Sequence, residues 1–180
     1  MNNIHHAAYG CRDAEQTRWF YEDVLELELA AAFHSDQAPG TEEETPFMHL
    51  FFKMGDGNFI AFFDAPEITD NDWLNRKHSF MMHIAFEVDN EESMLAWQKR
   101  INAKGKSCLG PVDHGFVKSV YMYDPNGIQV EITCKTNRYA ELMELEKQTS
   151  RANIAEWSEM KRSYKEEKFG VAEIAKRGNQ

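Results

Sequence analysis

Three residues of this chain are candidate ligands for one metal ion: His6, His83 and Glu131. Two imidazoles and one carboxylate, with coordination positions left open, suit a catalytic divalent cation. They are the donors of the 2-His-1-carboxylate facial triad of non-haem Fe(II) sites. The same donors would hold Mn, Ni or Zn, because ligand type alone does not choose the metal. The two histidines are matched by an internal repeat. His6-Ala-Ala-Tyr-Gly-Cys-Arg-Asp13 and His83-Ile-Ala-Phe-Glu-Val-Asp-Asn90 each run from a histidine to a helix-capping residue, 77 positions apart. Glu131 follows Gly127 by the same spacing with which Ala61 follows Gly57. Alanine cannot ligate, so the repeat predicts three protein ligands and open positions for substrate. His5 offers the same donor as its neighbour, but register with His83 favours His6 and gives His5 a structural role.

The elements that must position these groups follow from periodicity. Side chains alternate across a strand. Met82, Ile84, Phe86 and Val88 form an apolar face, and His83 and Ala85 the opposite one. Ile128, Val130 and Ile132 are likewise opposed by Gln129, Glu131 and Thr133, and His6 and Ala8 by His5, Ala7 and Tyr9. All three candidate ligands therefore leave the helix-covered faces, and would converge if two curved sheets pair around one concavity. Asp13 can cap a helix with Gln16 completing a capping box, and Phe20, Val24 and Leu27 mark its buried face. Asn90 or Asp89 caps a second helix marked by Met94, Trp97 and Ile101 and stopped at Gly105. Strands are expected at 28–34, Phe47–Met54 and Asn58–Phe63, then at 106–110, 117–123 and Ile128–Thr133. Glycine-ended turns lie at Gly55-Asp56-Gly57 and Asp124-Pro-Asn-Gly127.

The organisation is thus α+β. A βαβββ module over 1–64 is joined by a linker, 65–79, to a second over 80–135, the pair forming an open, curved mixed sheet barrel around the metal site. Residues 136–180 form a C-terminal helical extension, one or two amphipathic helices with Tyr139, Leu142, Leu145, Ile154, Trp157, Met160 and Tyr164 as their stripe. That stripe must cover the chain's own domain or a partner subunit, and a homodimer or higher homo-oligomer is expected.

Composition narrows the function. The 180 residues suit one domain or two small fused modules, and 42% hydrophobic residues supply a core. A formal charge of −10 argues against nucleic acid or an anionic membrane as partner. No apolar run approaches a membrane span, and Met1-Asn2-Asn3-Ile4-His5 has no secretory character. Cys11, Cys108 and Cys134, odd in number and widely spaced, suit reduced thiols in a cytoplasmic protein.

With those residues in place, stretch 4–134 resembles the vicinal-oxygen-chelate superfamily of glyoxalase I, fosfomycin-resistance proteins, bleomycin-binding proteins and extradiol dioxygenases. His6 to Leu25, with Asp13 and Trp19-Phe-Tyr-Glu-Asp-Val-Leu25, resembles the opening strand and helix common to all members. Val112-Asp-His114, Val120-Tyr121, Asp124-Pro-Asn-Gly127 and Glu131 together resemble the signature of single-domain extradiol ring-cleavage enzymes. The resemblance implies that His6, His83 and Glu131 bind Fe(II) and that a small catechol-like diol chelates it and reacts with O2. It also implies that Tyr121 hydrogen-bonds a substrate oxygen, and that His114 contacts substrate or the ring-opened intermediate. One position departs from two-domain relatives: Asn58 stands where many carry an acid–base histidine, with His49 and His78 as loose replacements. The alternatives are a redox-neutral glyoxalase-like metalloenzyme (a lyase, isomerase, epimerase or thiol transferase) and, from a different class, a ligand-sequestering resistance protein.

Overall fold

The computed structural model describes residues 1–37, 44–77 and 81–177. Two four-stranded mixed sheets carry the fold. The first contains β1 (His6–Cys11), β2 (Glu28–Gln37), β3 (Glu44–Lys53) and β4 (Phe59–Asp64) in the order β1-β4-β3-β2. The second contains β5 (His83–Glu87), β6 (Leu109–Asp113), β7 (Val117–Tyr123) and β8 (Gln129–Lys135) in the order β5-β8-β7-β6. In each, the first strand runs parallel to the last and the other pairs are antiparallel. The repeat holds at the level of register: Ala8 pairs Ala61 in one sheet, and Ala85 pairs Glu131 in the other.

Helix α1 (Ala14–Arg18) starts at Asp13, whose Oδ1 accepts from Gln16 N at 2.7 Å. It widens into a π-helical segment, Trp19–Val24, and Phe20, Tyr21 and Val24 are all buried. Leu27, expected on the same face, lies beyond the segment and packs at the edge of the core. Asn90 caps α3 (Glu91–Ala103) by accepting from Ser93 N. The stretch between the sheets holds a short helix, α2 (Asn71–Asn75), capped by Asp70. The strand expected at 106–110 forms instead at Leu109–Asp113. The cause is α3: Asn102 Oδ1 accepts from Cys108 N at 2.9 Å, and Gln98 Nε2 donates to the Cys108 carbonyl at 3.2 Å. Those bonds tie 106–108 to the helix. The extension is one 31-residue helix, α4 (Tyr139–Phe169), followed by a short α5 (Val171–Ala175). No residue of α4 is buried, and Trp157 is 53% exposed. Beyond its first turn, where Tyr139 and Leu142 lie against Phe116 and Gly115, the stripe therefore does not cover the chain's own sheets. Among the described residues, no helix is long and apolar enough to cross a membrane.

Both sheets turn their helix-side faces into one core. Tyr9, Phe52 and Phe62 from the first and Val120, Val130 and Ile132 from the second meet Phe20, Tyr21, Met94 and Ile101 in a single cluster. Polar joints reinforce it around the turn between β7 and β8. Asp124, nearly fully buried, accepts from Tyr21 OH at 3.1 Å. Arg12 N donates to Asn126 Oδ1 at 2.9 Å, and the Arg12 guanidinium donates to the Pro125 and Leu74 carbonyls. Gly127, at φ 80°, closes that turn where a Cβ would lie 2.0 Å from the Arg76 carbonyl oxygen, so no other residue fits without displacing backbone.

Candidate functional site

Sharing one core has a geometric consequence. Faces that leave the core on one sheet look away from those that leave it on the other. His83, Glu131 and Tyr121 stand on the outer face of the second sheet, and His6, Phe51 and His49 on that of the first. Convergence of all three candidate ligands within one chain is therefore not what the structure shows. Among the described residues, no group of three or more His, Cys, Asp or Glu side chains is placed to hold a metal ion. His6 instead shares a 2.8 Å contact between its Nδ1 and that of His5, and its ring meets Phe51 edge-on.

The second sheet's outer face is where chemistry concentrates. A cleft of about 600 Å³ is lined by His83, His114, Phe116, Tyr121, Glu131 and Tyr139 among others, with no residue from the first sheet. Alternation along β5 and β8 puts His83 and Glu131 on that face, and their Nε2 and Oε2 atoms lie 3.3 Å apart. Glu131 is only 6% exposed. A buried carboxylate needs its oxygens satisfied. Oε1 accepts from the fully buried Ser119 hydroxyl, itself 3.0 Å from Thr133 Oγ1, and Oε2 faces His83. One carboxylate oxygen is thus held in place while the other is turned towards an imidazole, which is how a metal-binding carboxylate is oriented. The donor set fits a divalent metal through two of three expected ligands; the third lies on the other sheet.

His114 and Tyr121 flank this pair. The β7 strand returns after the Gly115 turn, and His114 Nε2 lies 2.6 Å from Tyr121 OH. Burial first, and the nearby Glu131 carboxylate after it, push the Tyr121 phenol above its ordinary value despite a hydrogen bond to Ser119. Tyr121 keeps its proton at neutral pH. Tyr139, at the start of α4, and Phe116, tilted towards it at 6.3 Å, form the apolar rim.

Ser119 escapes a reading by residue type, since a serine on a strand has no chemistry of its own. Its signal was parity: two positions before Tyr121, it shares that face. Asn58 is bound into its own turn, its backbone and side-chain nitrogens both donating to Asp56 at 2.9 Å. His49 is buried on the first sheet among phenylalanine rings, and burial, with His6 as a smaller cause, lowers its imidazole below the ordinary value. His78 lies outside the described residues.

Comparison with known proteins places this geometry in a family. The model for the glyoxalase/bleomycin resistance protein/dioxygenase superfamily matches residues 3–132. A glyoxalase/dioxygenase from Nostoc punctiforme is 26% identical, with a TM-score of 0.56 over 76% of this chain and 92% of its own. Lactoylglutathione lyase from Agrobacterium tumefaciens (24% identity, TM-score 0.53, 74% of this chain and 94% of that one) shares the fold. So does the fosfomycin resistance protein FosX of Listeria monocytogenes (20%, 0.55, 77% and 98%). MhqA of Bacillus subtilis (strain 168), named provisionally as a ring-cleaving dioxygenase, is 37% identical over 51 residues, 28% of this chain but only 16% of that protein. With the family model spanning both sheets and solved relatives repeating their fold, the chain belongs to the glyoxalase/bleomycin resistance protein/dioxygenase superfamily.

Proposed function

We propose that this protein is a metal-dependent dioxygenase of the extradiol type that opens the ring of a small catechol-like diol with O2, Fe(II) being the metal that suits its donors best. The observation that carries the reading is the buried, Ser119-held Glu131 aligned with His83 at the floor of a cleft whose wall bears the hydrogen-bonded His114–Tyr121 pair. MhqA supports it through its name, and the neighbouring lyase and resistance protein show how widely the fold is used.

The missing ligand defines the working assembly. β1 and β5 each end their sheet's strand order, and an edge strand is a template for another chain. Laying β1 of one copy along β5 of a second joins the sheets edge to edge. His6 of one copy then stands beside His83 of the other, with Glu131 one strand further on. The site belongs to a homodimer, each copy supplying half.

The metal, when bound, supplies charge neutralisation and brings the diol and O2 together. The chain's own groups handle protons and orientation. Tyr121, protonated at neutral pH, donates a hydrogen bond to a substrate oxygen. His114 Nε2, within 2.6 Å of the phenol oxygen, takes up or returns a proton relayed through the Tyr121 hydroxyl, which gains one from the substrate as it gives one up, or the reverse. Phe116 and Tyr139 narrow the mouth and keep water from the ring.

Asn58, engaged by Asp56, favours a second reading. Without a proton shuttle at that position, the same centre would serve a redox-neutral lyase, isomerase or epimerase. Anaerobic reconstitution with Fe(II) followed by a panel of substituted catechols, read by absorbance and oxygen uptake, separates the two. Oxygen consumption with a yellow ring-opened product supports ring cleavage. No consumption, with Ni or Zn retained in place of iron, overturns it in favour of the second reading.

A further inference from the structure

The outer face of the first sheet carries aromatic rings where the second carries polar groups, with His6 at its edge strand and a second imidazole, His49, among the rings. His49 is 7% exposed. Its imidazole stacks on Phe63 at 3.7 Å and 20°, lies 4.2 Å from Phe51, and meets Phe33 edge-on at 5.4 Å. Among the described residues, its Nε2 is the buried side-chain polar atom without a hydrogen-bond partner. Leaving a buried polar nitrogen unpaired is a standing cost, and such groups are rare in folded proteins. A phenylalanine would fill the same bed without that cost, and a group from outside the chain would supply the partner the nitrogen lacks.

Its place relative to His6 says what arrives. Phe51 bridges the two imidazoles, its centroid 5.6 Å from His6 and 4.2 Å from His49. A single benzene ring separates them. A planar ligand lying over Phe51 with one edge at His6 presents its opposite edge to His49. Phe33, on β2 and 49% exposed, is the ring of the bed that such a ligand displaces to reach Nε2.

We propose that His49 determines specificity: its Nε2 hydrogen-bonds an oxygen-bearing substituent on the substrate ring, on the edge away from the chelated oxygens, while Phe51 takes the ring face and Phe63 backs the imidazole. This rests on the reading of His6 as a ligand of the joint site. The substrate class is then narrower than catechols at large. It is diols carrying a hydroxyl, carbonyl or carboxylate group at ring position 4, on the far edge. A site built around a hydrogen bond rejects the analogue lacking it far more strongly than an apolar pocket rejects an extra group.

The test compares anaerobic binding of 3,4-dihydroxybenzoate and 4-methylcatechol to Fe(II)-loaded protein, wild type against His49→Phe and His49→Gln, by titration calorimetry. The wild type is expected to prefer 3,4-dihydroxybenzoate. In His49→Phe that preference falls about tenfold or more, in His49→Gln it is partly kept, and metal stoichiometry is unchanged. An unaltered preference, failure of both diols to bind the wild type, or loss of metal in His49→Phe overturns the proposal. Binding requires no turnover, so a protein that discriminates between the diols yet consumes no oxygen refutes ring cleavage and leaves His49 confirmed.

Discussion

A centre shared between two copies makes a quantitative prediction that no single-chain centre makes. His6→Ala removes one ligand from the first sheet, and Glu131→Ala removes another from the second, where His83 Nε2 waits 3.3 Å from the lost carboxylate. Each variant alone should bind metal more weakly than a lost supporting contact would cause, that is, by well over ~100-fold. Each should fold, since neither side chain belongs to the hydrophobic core cluster. In a symmetric dimer the same patch serves both subunits, so every dimer has two equivalent sites. Mixing the variants in equal amounts through unfolding and refolding gives about half mixed dimers. Each mixed dimer holds one site with both ligands intact and one with both missing. About a quarter of the wild-type sites should return, read as iron per chain and as oxygen uptake, from two samples that show neither alone. Full metal occupancy in His6→Ala, or no recovery in a mixture shown to contain mixed dimers, would refute the shared centre.

Other perturbations test its surroundings. Ser119→Ala takes away the hydroxyl that holds Glu131 Oε1; metal affinity by chelator competition should fall about tenfold, the usual scale for a supporting hydrogen bond, while thermal stability moves less than in a core truncation. Asp124 accepts from Tyr21 OH, Asn126 N, Asn126 Nδ2 and Ile128 N, and an amide at 124 points donor against donor, so Asp124→Asn should cost about 2–4 kcal/mol in urea unfolding. Burial lowers the His49 imidazole in the folded protein. As pH falls below the unfolded value near 6.5, the unfolded chain takes a proton that the fold refuses. Stability present above that pH is then lost, by at most about 1.4 kcal/mol per pH unit, down to the folded value. His49→Phe should flatten that part of the stability–pH curve, and an unchanged slope would show that His49 titrates alike in both states.

How much of this was legible in the sequence depends on the range of the interaction concerned. Period-two alternation placed His83 and Glu131 on one face, and β5 and β8 lie in that register. The caps at Asp13 and Asn90 were legible because capping is local. Sequence pattern alone puts β6 a few residues too early, because Asn102 and Gln98, several residues upstream, take the backbone groups of Cys108. The orientation of the two sheets was not legible at all. Alternation says that His6 leaves a helix-covered face, but not that both such faces enter one core and turn His6 and His83 apart. The spacing of the C-terminal stripe is enough to show a helix, yet nothing local says what it packs on, and in the chain alone it packs on no core.

The two halves of the repeat also divide the work. Where the second sheet pairs Tyr121 with Glu131 and Ser119 with Thr133, the first pairs Phe51 with Ala61 and His49 with Phe63. At equivalent positions one half carries a carboxylate, a phenol and hydroxyls, and the other carries rings and a methyl group. On the proposed reading, neither half is a complete site. The polar half alone offers two donors for a cation and no apolar surface opposite for an aromatic ring. The aromatic half alone offers a bed for a ring and a single imidazole ligand. Ala61 is fully buried where Glu131 stands in the other sheet, so duplicating the fold did not duplicate the carboxylate. A dimer built by joining β1 to β5 therefore has two centres, each with one polar wall and one aromatic wall. Restoring a carboxylate by Ala61→Glu should add a fourth donor at each centre, occupy a position that the diol needs, and lower turnover while tightening metal binding.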